Sequence, residues 1–210
     1  MPVRTLIGAL FVALLLNSLD LRAEEQPAEQ ATEFSGPQPG EKLTPFTIRA
    51  LRGDAAGEEI DLVEQADGKP VVLFFVHEVN RPSIGLARVM LTFAAKHKAD
   101  GLQAGLIFLS GDATMTEAFV KRAAHALPEG VPIGVSTDGA EGPGAYGLNR
   151  KVTVTVLVAK DNQVTANFAL IQPSLQADGP KIAKAIAEAG GFQAPTVEEL
   201  EKIAQPARRR

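Results

Sequence analysis

The sequence predicts an α/β fold: one mixed central sheet flanked by helices, with an added N-terminal β-hairpin. Three observations predict it. Two continuous apolar runs, Val71–Val76 and Gly105–Leu109, have the composition of strands buried on both faces, as in a parallel sheet. A helix-period stretch from Ser83 to Lys98 separates them. A third run, Val152–Val158, is followed by a turn, a returning strand and a last amphipathic helix.

Each element has its own local reason. Pro45–Leu51 alternates apolar and polar residues, Gly53–Gly57 can turn the chain, and Glu59–Leu62 returns, which together make the hairpin. Gly68-Lys69-Pro70 breaks the chain before the first buried strand. The helix from Ser83 carries an apolar stripe of Ile84, Ala87, Met90 and Ala94, with Leu86, Val89 and Phe93 interleaved. Thr114-Met115-Thr116-Glu117 is a capping-box pattern that opens a helix to about Ala126. Val131–Val135 suits a short strand. Asp161-Asn162 marks the turn between Val152–Val158 and its partner Val164–Leu170. Asp178–Ala189 forms the final helix of the domain, with Ile182, Ala185, Ile186 and Ala189 on one side and Gly190-Gly191 to stop it.

The ends read differently from the body. Residues 1–23 look like a secretory signal peptide: Arg4 gives a basic start, Leu6–Leu16 is an uncharged apolar run, and Ala23 ends the segment on a small residue. That run is shorter than the about 20 residues a bilayer span needs, so no stable span is expected once the signal is removed; the alternative is an uncleaved anchor. Residues 24–40 read as a flexible linker, without apolar periodicity. The domain is expected over 41–190. In 191–210, Thr196-Val197-Glu198-Glu199 opens a short helix to about Ala204, and Arg208-Arg209-Arg210 forms a basic tail. The compartment expected is exported, periplasmic or extracellular.

Composition removes several function classes. The chain has 210 residues and no cysteine, so it can hold no disulfide, thiolate nucleophile, iron–sulfur cluster or cysteine-built zinc site. There is no Trp, one Tyr and a formal charge of −4, which argues against nucleic acid as a partner. His77, His97 and His125 share no ligand spacing, and the glycine-rich stretch 139–147 lacks the Gly-Lys-Ser/Thr end of a phosphate loop. No metal and no cofactor are expected.

Three stretches in order resemble the thioredoxin-like superfamily, which includes thioredoxins, redoxins and peroxiredoxins. The first is the leading hairpin and Gly-Lys-Pro, Phe46 to Phe75. The second is Val71 to Ser83, where Asn80-Arg81-Pro82-Ser83 matches the Cys-x-x-Cys of the family and Pro82 stands where thioredoxins carry proline in Cys-Gly-Pro-Cys. The third is Tyr146-Gly147 followed by Val152–Val158, the Asp161-Asn162 turn and Val164. The resemblance implies the fold. It does not carry the chemistry, because thiol–disulfide exchange needs a thiolate and Asn80 and Ser83 hold the two cysteine positions. By the same correspondence Phe74 replaces the buried carboxylate and Thr153 the cis-proline; a trans bond is expected before Thr153, since cis there costs about 2.5–4 kcal/mol. The reactive cysteine of peroxiredoxins, which would fall near Ser83 or Ile84, is also absent.

The candidate binding face is therefore His77, Glu78, Asn80, Arg81 and Ser83 at the end of the central strand, with Tyr146 packed near the Asn80 loop and Thr153 beside it. No catalytic residue is expected. Ser83 with His77 and Glu78 lacks a Gly-x-Ser-x-Gly elbow and an oxyanion hole, so hydrolysis is not supported. Beside a purely structural module placed on a surface by its tails, two functional readings remain. One is a non-catalytic exported domain that binds a protein or peptide partner through the Asn80–Ser83 face. The other is a thiol–disulfide oxidoreductase or peroxiredoxin-like antioxidant protein with weak or indirect activity, implied by the family alone.

Overall fold

A computed structural model describes residues 33–205. The signal-peptide segment, the linker as far as residue 32 and the arginine tail lie outside the described residues. Seven strands form one sheet: β1 (Thr47–Ala50), β2 (Glu59–Asp61), β3 (Val71–Val76), β4 (Gln103–Phe108), β5 (Ile133–Ser136), β6 (Val154–Lys160) and β7 (Gln163–Leu170), in the order β2-β1-β5-β4-β3-β6-β7. β3, β4 and β5 run parallel; the pairings of β6, β7, β1 and β2 are antiparallel. β1 pairs with β2 on one side and, through Ile48↔Ser136, with β5 on the other, so it is built into the sheet rather than appended to it.

Among the described residues five α-helices accompany the sheet: α1 (Leu62–Ala66), α2 (Arg81–Lys96), α3 (Ala113–Arg122), α4 (Leu175–Gly190) and α5 (Val197–Ala204). Because successive strand side chains point to opposite faces, β3 feeds two cores. Val72, Phe74 and Val76 join the residues of α2 and α4 in one. Val71, Leu73 and Phe75 meet Phe46, Leu62, Tyr146 and Leu157 in the other. The helices are thus unevenly shared: the second face is covered by the single turn of α1 and by irregular chain.

The helix starts differ from the sequence expectation in instructive ways. α1 follows directly from β2 because Asp61 accepts hydrogen bonds from Val63 N and Glu64 N at 2.8 and 3.0 Å, a capping signal hidden inside what reads as strand. α1 packs so close to β4 that a Cβ at Gly105 would strike Leu62 Cδ1. α2 begins at Arg81, not Ser83: Asn80 is its N-cap. α3 is capped by Asp112, which accepts from Met115 N at 2.9 Å, so Thr114 lies within the first turn. α4 starts at Leu175, before the expected Asp178. Ser174 caps it, Asp178 Oδ2 accepts from Ser174 N at 2.8 Å, and Pro180 lies inside the helix, where it cannot donate to Gln176 O.

The linker expectation also needs correction at its C-terminal end. Residues 33–40 lie against the sheet. Ser35 is buried, shares a hydrogen bond with Thr155 of β6, and accepts one from Asn149 N at 3.0 Å. Asn167 Nδ2 of β7 donates to Ser35 O and Pro37 O, both at 2.8 Å. Gly36 adopts φ +80° in this segment. Polar bonds hold this strap, so the missing apolar periodicity gave no sign of it.

Candidate partner-binding face

The face forms where β3 ends and α2 begins, in the crevice beyond the carboxyl ends of the parallel strands. The chain after Val76 is stitched to the segment before β6: His77 N and Glu78 N both donate to Thr153 O, at 3.0 and 3.4 Å. Thr153 Oγ1 donates to Ile171 O at 2.8 Å, beyond the end of β7. Three segments therefore meet on one residue. No peptide bond among the described residues is cis.

Asn80 and Ser83 form a reciprocal capping box. Ser83 N donates to Asn80 Oδ1 at 2.9 Å and Asn80 N donates to Ser83 Oγ at 3.0 Å. Ser83 Oγ also lies 2.7 Å from Glu78 O, to which it donates. Ser83 is fully buried, so its hydroxyl is enclosed by backbone partners and not presented to a substrate. Both ring nitrogens of His77 are buried and neither makes a well-formed hydrogen bond; burial holds its imidazole below the ordinary value, opposed by the nearby backbone of Val152, with Arg150 adding to the lowering. No nucleophile–base pair exists between Ser83 and His77. Phe74, at the position of the family's buried acid, is fully buried among apolar neighbours. Among the described residues no three His, Cys, Asp or Glu side chains come together to hold a metal ion.

Tyr146 is set apart from the other residues of the face. It is 4% exposed, meets Phe46 and Phe75 edge-on at centroid distances of 5.3 and 5.6 Å, and donates to Thr44 O at 2.7 Å. Burial pushes its phenol well above the ordinary range. Its ring belongs to the second core and not beside the Asn80 loop, because the aromatic pair it joins comes from distant segments. The outward residues of the face are Glu78 and Arg81, with His77 and Asn80 half-buried. Two further residues went unnoticed in the sequence. Val79 and Ile171 are 47% and 48% exposed. Val79 follows Glu78, and Ile171 supplies the carbonyl that Thr153 holds, so both flank the point where the segments meet. An apolar residue inside the polar run Glu78–Arg81 was the available signal for the first.

The sheet order, the crossovers and a helix beginning at the Asn80 cap can now be compared with solved structures. The proposed thiol:disulfide interchange protein DsbE from Chlorobium tepidum matches with a TM-score of 0.57 and 22% identity, over 73% of this chain and 99% of that one. The chain has a thioredoxin-like fold. Peroxidoxin BcpB from Mycobacterium tuberculosis matches with a TM-score of 0.52 and 17% identity, over 74% of this chain and 98% of that one. A proposed protein disulfide isomerase from Bacteroides thetaiotaomicron matches at 0.51 and 16%, over 82% and 94%. At these identities the likeness is one of fold. No protein-family profile matches the chain, and no curated protein does. In this thioredoxin-like fold the start of α2 carries the capping box of Asn80 and Ser83, and the chain has no cysteine.

Proposed function

We propose that this chain is an exported, non-catalytic thioredoxin-like domain that binds a protein or peptide partner through the face around Asn80–Ser83. One observation carries the reading. The residues at the two cysteine positions are spent on holding the start of α2, while Val79 and Ile171 are exposed on either side of the junction at Thr153. A contact surface combines apolar side chains with a polar rim, and Val79 and Ile171 with Glu78 and Arg81 supply both kinds of group here. The sequence of residues 1–23 supports export, and among the described residues no helix is long and apolar enough to cross a membrane. The reading as an oxidoreductase or antioxidant protein has the fold in its favour and no thiol to carry it.

Two experiments test this. The purified protein should neither reduce insulin disulfides nor consume peroxide above the buffer rate; a steady rate that survives Ser83→Ala overturns the non-catalytic reading. A photo-crosslinking side chain at Val79 in the native host should trap a protein or peptide, whereas one at Lys184 on the exposed side of α4 should not. Equal capture at both positions, or none at Val79, overturns the partner-binding reading.

A further inference from the structure

A groove of about 310 Å³ runs between the first turns of α2 and α4 and the last residue of α5. Pro82, Leu86, Pro173 and Leu175 give it apolar walls, and its charged lining residues are Arg81 and Arg88; no carboxylate lines it. This is a local reversal of sign in a chain of formal charge −4. We propose that the groove receives an extended peptide segment of the partner in which apolar and acidic residues are interspersed, the acidic side chains meeting Arg81 and Arg88. The proposal rests on the partner-binding reading above and adds the partner's chemistry to it.

The two arginines do not have the same structural duty. Arg88 donates from Nη1 to Ile203 O at 3.3 Å and from Nη2 to Ala204 O at 2.6 Å, fixing the end of α5 as one wall of the groove. A guanidinium carries five donor hydrogens, so others remain for a ligand. Arg81 is exposed, is the first residue of α2, and has no carboxylate at ion-pair distance among the described residues. A cation there opposes the helix macrodipole, and no acidic residue in the first turn offsets it. Capping and packing therefore give no reason for arginine at 81. A carboxylate from outside would be favoured by the arginine and by the helix start together. Geometry also joins the groove to the Asn80–Ser83 face. Pro82 lies between the two cysteine positions, and Pro173 is two residues beyond Ile171. A peptide covering Val79 and Ile171 would thus reach the groove within a few extended residues, at about 3.3 Å each.

The test uses the full exported chain and three short labelled peptides, in which leucine alternates with glutamate, serine or lysine. Fluorescence anisotropy should show the glutamate peptide binding about tenfold more tightly than the serine one, with the lysine peptide weakest and the preference shrinking as salt is raised. Arg81→Glu should reverse the order; it suits a helix start better than arginine, so loss of fold does not confuse the result. Val79→Ala, which removes apolar contact without adding charge, should weaken all three peptides alike. Equal binding of the three peptides, or a glutamate preference that survives Arg81→Glu, overturns the acidic-segment proposal and leaves the partner-binding face standing. Absence of binding by any peptide overturns both.

Discussion

Asn80 and Ser83 hold each other across the first turn of α2, each side chain accepting from the other's backbone N–H at 2.9–3.0 Å. In a thioredoxin-like fold these are the positions from which thiol chemistry would be launched. Here they satisfy two of the three amide donors at this helix start, Pro82 having none. A hydroxyl enclosed in that way is a structural group. Replacing Asn80 with alanine should lower stability by about 1 kcal/mol, as loss of an N-cap does. Ser83→Ala should cost about as much or more, because it leaves Asn80 N short of a partner inside the fold. Urea unfolding of both variants checks this. A Ser83→Ala protein as stable as the parent would mean that the hydroxyl is not needed by the cap.

The strap of residues 33–40 should be tied down mainly by one amide. Asn167→Ala removes two hydrogen bonds to Ser35 O and Pro37 O. A loss of about 1–2 kcal/mol is expected. Amide exchange should speed up at Gly36 and Gly40 before it does in β3, because the strap would open without the sheet. Uniform acceleration across the domain would show that strap and sheet unfold as one unit.

The contrast between strap and sheet shows what was legible in the sequence. Val71–Val76 announced β3 because burial on both faces is a property of six consecutive residues. The strap stayed hidden because its order comes from Thr155, Asn149 and Asn167, more than a hundred residues away. The same distinction divides the candidate site. Asn80 could be placed at a helix start from its neighbours, though Ser83, itself a common N-cap type, drew the boundary too far along the chain. Tyr146 was misplaced because its ring joins Phe46 and Phe75 through tertiary packing. Val79 and Ile171 were missed because exposure depends on which segments meet at Thr153. The fold class was thus local information, while the membership of the face was tertiary.

Export predicts a particular mature end. Cleavage after Ala23 would leave a chain that begins at Glu24, with 19 basic and 24 acidic residues. N-terminal sequencing of the protein from its native host should read Glu24-Glu25-Gln26-Pro27. A soluble cytoplasmic pool that still starts at Met1 would contradict export.

His77 should give the protein a pH-dependent stability. Burial lowers its folded-state value below 6.5, while in the unfolded chain the imidazole keeps that ordinary value. The unfolded state therefore binds the proton first as pH falls. Stability from this group is complete above about pH 6.5, is lost as pH drops from there toward the folded value, and levels off below it. His77→Leu should flatten that slope and leave stability at pH 8 equal or higher, since two buried nitrogens without a well-formed hydrogen bond are removed. Urea midpoints measured across pH 5–8 decide it. An unchanged slope in the variant would assign the pH dependence to another group.

Restoring both thiols tests the correspondence on which the functional reading depends. Asn80→Cys with Ser83→Cys gives a pair at i and i+3 across the start of α2, the spacing at which the family's Cys-x-x-Cys pair sits. Under oxidising conditions an intramolecular disulfide should form and the domain should remain folded, although loss of both caps should cost about 1–2 kcal/mol in the reduced form. Exchange should remain poor for three reasons visible in the structure. Phe74 offers no proton acceptor beneath the pair, and Thr153 spends its hydroxyl on Ile171 O. Position 83 is also fully enclosed, so an attacking thiol could reach the bond only from the side of position 80. Insulin turnover by the double variant should therefore stay near the buffer rate while free-thiol titration shows the bond formed. Fast turnover would mean that the missing thiols alone account for inactivity and that the surroundings remain competent. Failure to close the disulfide would mean that these two positions do not face each other as the capping box requires.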